Sequence, residues 1–159
     1  MMCSFWITGA ITHNNQGVSG VAQVEIALLN RATFQQSLIW AYNNDIKIVN
    51  ASFGWVNGIG APAPASVADA EAIRVFGENG GLFVAAAGNN GSNTWRDTDV
   101  YPLYPAAYGD ARNFPNINNV ISVGSLNDDG ARRGTSSFGE NSVHFQKTDG
   151  ALRFLVILK

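Results

Sequence analysis

The residues with the clearest chemical use stand at the end of one apolar run. Leu82-Phe83-Val84-Ala85-Ala86-Ala87-Gly88 has strand length and ends in small side chains, and Asn89-Asn90-Gly91-Ser92-Asn93 follows as a polar turn. A purely structural strand fills its flank with Val, Ile or Leu, so alanines and a glycine there leave space for a pocket wall. Asn89 offers an amide at the mouth of that space, held between a rigid strand and a tight turn. Two uses follow: it donates a hydrogen bond to whatever enters the pocket, or it caps its own turn, as asparagine often does. Other reactive side chains lack company. His13 has no second His, Cys or acidic residue at metal-ligand spacing, Cys3 is the one cysteine and excludes an internal disulfide, and His144 has no evident carboxylate to orient it as a base.

The elements that would hold Asn89 in place read as α/β. The 159 residues are 46% hydrophobic and 14% charged, enough for one core and one domain over residues 1–159. A net charge of -2 with no basic patch argues against a nucleic-acid partner, and no apolar run reaches membrane-spanning length. Residues 1–11 read as a short helix, without the charged start and apolar core of a secretory signal. Strands are expected at 24–29, 46–52, 82–87, 119–125 and 154–158. Helices are expected at 34–43 and 65–79, the second with Val67, Ala70, Ile73, Val75 and Phe76 inward and Gly80-Gly81 ending it. The strand–helix–strand order predicts a right-handed parallel crossover, with ligand chemistry at the carboxyl ends of the strands, where Gly54 and Asn89 fall.

The segment Ala85-Ala86-Ala87-Gly88-Asn89-Asn90-Gly91-Ser92 resembles the oxyanion-hole segment of the subtilisin-like serine endopeptidases, the subtilases. Other stretches agree in order. Ile46 to Gly54 is similar to the family's V-I-N-M-S-x-G, Tyr101 to Tyr108 to its Y-P-A-x-Y segment, Asn119 to Ser125 to N-V-I-x-V-G/A-A, and Ser136 to Gly139 to its A-S-F-S-N-Y-G hairpin. The resemblance covers residues 7–144 and implies a subtilisin-like three-layer α/β domain, a central parallel sheet with helices on both faces, incomplete in this chain. It implies that Asn89 donates to the oxyanion of a tetrahedral intermediate. Ser52, Phe53 and Gly54 would pair with an extended polypeptide substrate as an added strand. Ala86, Ala87 and Gly88 would wall, and Leu103 floor, an uncharged pocket for an apolar side chain preceding the cut bond. A cis bond is expected at Tyr104-Pro105. Asn14 matches a donor to the family's structural calcium; its companion carboxylate would lie in a part of the family fold that this chain does not match, so an ordinary solvated loop is the expectation and no metal serves catalysis.

The departures are equally specific. The H-G-T-H-x-A-G motif is absent, with Cys3 where its second histidine would fall, and the D-S/T-G and G-T-S-M-A-x-P motifs have no match. Gly134-Thr135-Ser136 imitates the nucleophile motif, but Ser137-Phe138-Gly139 follows instead of a helix of small residues. Residues 30–33 replace a longer connection whose glycine-rich edge strand lines the family's pocket for the fourth residue before the scissile bond. The expected function is serine-type endopeptidase by family, with this chain a fragment carrying the oxyanion hole and substrate walls and inactive without its triad. The alternative is a catalytically dead peptide-binding paralogue or gene remnant. A Rossmann-like nucleotide binder lacks G-x-G-x-x-G after the first strand and an acidic ribose partner. The family resemblance implies a secreted or extracytoplasmic setting.

Overall fold

The computed structural model describes residues 10–11, 19–20, 24–57, 61–89, 97–140 and, for the backbone alone, 144–146. The readings made for residues 1–9, for the Asn14 loop and for 154–158 lie outside these.

Four strands, β1 (Ile48–Ala51), β2 (Leu82–Ala86), β3 (Val120–Ser125) and β4 (His144–Gln146), form one sheet in the order β1-β2-β3-β4. All three ladders are parallel, with Ala51 opposite Ala85, Ala86 opposite Val123, and Val123 opposite His144. Short apolar runs of this kind suit a parallel sheet whose strands return through helices. The sequence reading places β1, β2 and β3 to within two residues at each end and does not anticipate β4.

Helix α1 (Phe34–Asn43) follows a 3-10 turn, Arg31–Thr33, whose first residue is preceded by Asn30; the Asn30 Oδ1 accepts from the Ala32 N–H at 2.9 Å. Helix α2 (Val67–Glu78) starts at Ser66, whose hydroxyl accepts from the Asp69 N–H at 3.2 Å, satisfying one of the donors a helix start leaves open. It ends where Gly80 turns left-handed at φ +79° and Gly81 donates to the Phe76 carbonyl at 2.9 Å.

Both helices lie on the sheet face to which Phe83 and Ala85 point. Phe34, Leu38 and Ala41 of α1 and Ala70, Ile73 and Phe76 of α2 form one core with those two residues, and Phe34 meets Phe83 edge-to-face with centroids 5.8 Å apart. The Gln35 amide bonds the Asp69 carboxylate, joining the two helices. Two expectations are corrected. Val67, read as inward, is 86% exposed, because the first helical residue precedes the turn that faces the core. Residues 24–29, read as a strand, pair with no strand among the described residues. An apolar run becomes a strand only when a neighbour completes its ladder.

Beyond β2 the chain crosses to a cis Tyr104-Pro105 bond and a second 3-10 turn, Ala106–Gly109. Tyr108 is fully buried, and its hydroxyl donates to the Ser66 carbonyl at 3.0 Å while accepting from the Ser66 N–H at 2.9 Å. Among the described residues no helix is long and apolar enough to cross a membrane.

Candidate active site

The carboxyl ends of β1 and β2 lie side by side, and the expected site residues gather there. Past β2, Ala87 is buried and donates to the Val123 carbonyl at 2.9 Å, which keeps the chain in register with β3 for one residue more. Gly88 then turns at φ +105°, a conformation that a side chain strains, and its carbonyl accepts from the Ser137 N–H at 3.0 Å. These two bonds fix the direction in which the chain delivers Asn89.

Asn89 is exposed, and among the described residues its side chain has no hydrogen-bond partner. Other asparagines here are committed to backbone groups: Asn44 donates to the Trp40 carbonyl at 2.8 Å, Asn79 to that of Val75 at 2.8 Å, and Asn119 to those of Ile73 and Gly81, both at 3.1 Å. The capping role weighed for Asn89 finds no partner among the described residues; the turn it would cap begins at residue 90, outside them.

Past β1, Ser52, Phe53 and Gly54 continue outside the ladder, and among the described residues their backbone N–H and C=O groups have no backbone partner. The next residue anchors them: Trp55 donates to the Tyr104 carbonyl at 2.7 Å and accepts from the Ala63 N–H at 2.9 Å. A short chain segment with free backbone groups, fixed at both ends, can take an added strand.

Leu103, 4% exposed, joins the two ends. A Cβ built on Gly54 would come within 2.8 Å of its Cδ1, and one built on Gly88 within 2.6 Å of its Cδ2. The space that the small residues leave is thus occupied at its base by the Leu103 isopropyl group. Ala86 is half-buried at the end of β2. The structure accordingly brings Gly54, Gly88 and Leu103 into one group, with Phe53 and Ala87 their chain neighbours.

Ser136 is built into the fold. It is 1% exposed, its hydroxyl accepts from the Ser125 N–H and donates to the Ser137 carbonyl, both at 3.0 Å, and no conformational freedom is left for attack on a substrate. The turn at 127–130 closes the hairpin that carries it, with Asn127 donating to the Ala131 carbonyl at 2.8 Å. The His144 side chain and the Asn14 loop lie outside the described residues. Among the described residues no group of three His, Cys, Asp or Glu is close enough to hold a metal ion.

One feature escaped the sequence reading. The Arg31 guanidinium lies over the rings of Phe53 and Trp55, 5.5 and 5.3 Å from their centroids. The available signal was the pair of aromatics two residues apart, which an extended chain places on one face.

A search of curated proteins returned no match. Among solved structures, the chain is similar to the self-cleaved protease domain of PatA, at 24% identity and TM-score 0.61, covering 84% of this chain and 48% of that one. It is also similar to Apa1, a psychrophilic subtilisin-like protease from the Antarctic psychrotroph Pseudoalteromonas sp. AS-11, at 22% identity and TM-score 0.58, covering 84% and 28%. A third, the PatG macrocyclase in complex with peptide, is 18% identical at TM-score 0.50, covering 75% and 30%. At these identities the likeness establishes the fold, and the chain spans less than half the length of each of these structures. The profile of the subtilase family, Peptidase S8, matches residues 7–152, most of the sequence, and on that match the chain belongs to the subtilases.

Proposed function

We propose that residues 1–159 form the oxyanion and substrate-binding half of a serine endopeptidase site, and that Asn89 is its oxyanion donor. The observation that carries this is the exposed amide of Asn89, without a partner among the described residues, directly past a left-handed Gly88 that is pinned by Ser137. A donor held in advance at the point where negative charge develops lowers the barrier without reorganisation. The free backbone at Ser52, Phe53 and Gly54 receives the extended substrate. The residue preceding the cut bond enters between Gly54 and the wall of Ala86, Ala87 and Gly88, above Leu103. With no charge in that lining, an apolar side chain is selected.

No position within residues 1–159 matches the family's aspartate, histidine or serine motif. These residues alone bind peptide and leave it uncut, which is also the behaviour of a catalytically dead paralogue. Asn14 matches a family calcium donor, and a structural ion there would serve the fold only.

The test uses protein expressed from the whole reading frame that encodes the chain, with a fluorogenic peptide. Asn89→Ala is expected to lower kcat about 10²–10³-fold, the loss known for a subtilisin stripped of one such donor, with KM changed less than about threefold. An unchanged kcat removes Asn89 from this role. Peptide binding with no cleavage by the unsubstituted protein moves the assignment to the dead, peptide-binding relative.

A further inference from the structure

The segment that leaves β1 has two faces. Gly54 is turned toward Leu103, while the rings of Phe53 and Trp55, its neighbours on either side, lie against each other at a 42° tilt with centroids 4.7 Å apart. Phe34, the first residue of α1, meets both rings edge-to-face, at 6.4 Å for Phe53 and 5.8 Å for Trp55, so the aromatic pair is backed by the core. Arg31 covers the pair. Its backbone is set by the 3-10 turn that Asn30 caps, three residues before Phe34, and its guanidinium rests on both rings.

Arg31 is exposed, and among the described residues no carboxylate pairs with it. The contrast with Arg74 and Arg112 is direct, since each of those is bonded to two acidic residues. A guanidinium held over aromatic rings by its charge makes no hydrogen bond to them, so its N–H groups remain to match the two oxygens of a carboxylate. This cation stands beside the free backbone of Ser52, Phe53 and Gly54. In a peptide added along that backbone, alternate side chains project to each face.

We propose that Arg31 is a specificity-determining residue that reads an acidic side chain, Asp or Glu, at the substrate position facing Phe53 and Trp55. The proposal rests on the strand-pairing reading of Ser52, Phe53 and Gly54. The aromatic pair fixes the guanidinium in advance, so little side-chain freedom remains to be lost when the carboxylate arrives. An acidic residue gains at this position and a lysine is repelled, whereas in the uncharged pocket on the Leu103 side Glu and Lys both lose.

The experiment is fluorescence polarisation of the chain with labelled octapeptides of Ala, Ser and Val, each carrying one Glu, Gln or Lys moved through the positions. Glu at one position is expected to bind about 2–5-fold more tightly than Gln, the range of an exposed ion pair, with the gain shrinking in about 0.5 M salt. Arg31→Gln removes the preference and Arg31→Glu transfers it to Lys, while the Gln peptides bind these variants as before. Unchanged melting temperatures show that the exposed substitutions leave the fold intact. Peptides that bind without any charge preference, or a Glu preference that survives Arg31→Glu, overturn the proposal and leave the strand-pairing reading standing. Failure of every peptide to bind overturns both.

Discussion

The side chain of Leu103 fills the space into which a side chain at Gly88 would project, its Cδ2 lying 2.6 Å from the position of a Cβ there. Gly88 is therefore required twice, once for its φ of +105° and once for the contact. Gly88→Ala is expected to cost about 2–5 kcal/mol, the sum of backbone strain and overpacking. Gly54→Ala meets Leu103 as well, at 2.8 Å, without a left-handed backbone, and should cost less. Urea unfolding in a Leu103→Ala background checks the division: the cost at Gly54 shrinks to near zero, while Gly88→Ala keeps its strain.

Leu103→Ala by itself opens the base of the proposed pocket. The expected change is a shift in the residue accepted before the cut bond, from small aliphatic toward aromatic side chains, read from a peptide-library binding profile. Stability should fall by about 2–5 kcal/mol because the leucine is buried against two strand ends. An unaltered profile with the fold retained would place Leu103 outside the pocket.

Tyr108→Phe removes one hydroxyl that satisfies both backbone groups of Ser66 at the start of α2. The Ser66 carbonyl keeps its bond from the Ala70 N–H at 3.0 Å, but the Ser66 N–H is left without its partner, at a cost of about 1–3 kcal/mol. Burial pushes the Tyr108 phenol up to about 12. Because the folded value lies above the unfolded one, near 10, the unfolded chain loses the proton first and stability declines as pH rises from about 10 to about 12. Chemical denaturation across that window should show a shallower decline in Tyr108→Phe.

Asp110 behaves in the opposite sense. Its carboxylate accepts from the Arg112 side chain, with Nη2 at 2.6 Å, and this bond is the main cause holding its pKa below the ordinary carboxylate value. The stabilisation is present above the ordinary carboxylate range and is lost as pH falls through the depressed folded value. Arg112→Gln is expected to lower stability at neutral pH and to move the acid-unfolding midpoint to higher pH. A circular-dichroism pH titration would reveal it, and an unmoved midpoint would refute the pairing.

Much of this site could be read in the amino-acid order because the relevant signals are local. The run ending Ala85-Ala86-Ala87-Gly88 announces a strand, and the strand is found; two X-Pro bonds among tyrosines make a cis bond plausible, and the family resemblance points to Tyr104-Pro105, where it is found. What was missed depends on partners distant in sequence. Residues 24–29 have the composition of a strand, and the absence of a described ladder neighbour decides against it. Arg31 looked like part of a bare link until Phe53 and Trp55 came beneath it. Ser136 could be dismissed as a nucleophile from the residues after it, but its bond to Ser125 shows only once the hairpin closes.

The parallel order β1-β2-β3-β4 sorts the chain into two rims that can change at different rates. On one rim emerge residues 52–57 and the turn at Gly88 and Asn89; on the other the chain returns, with Asn119 tied to Ile73 and Gly81. Insertions on the first rim would alter what is recognised and leave the helix packing alone. Insertions on the second would pull α2 away from the sheet. A lineage built on this scaffold can therefore diversify its diet while inheriting its architecture unchanged.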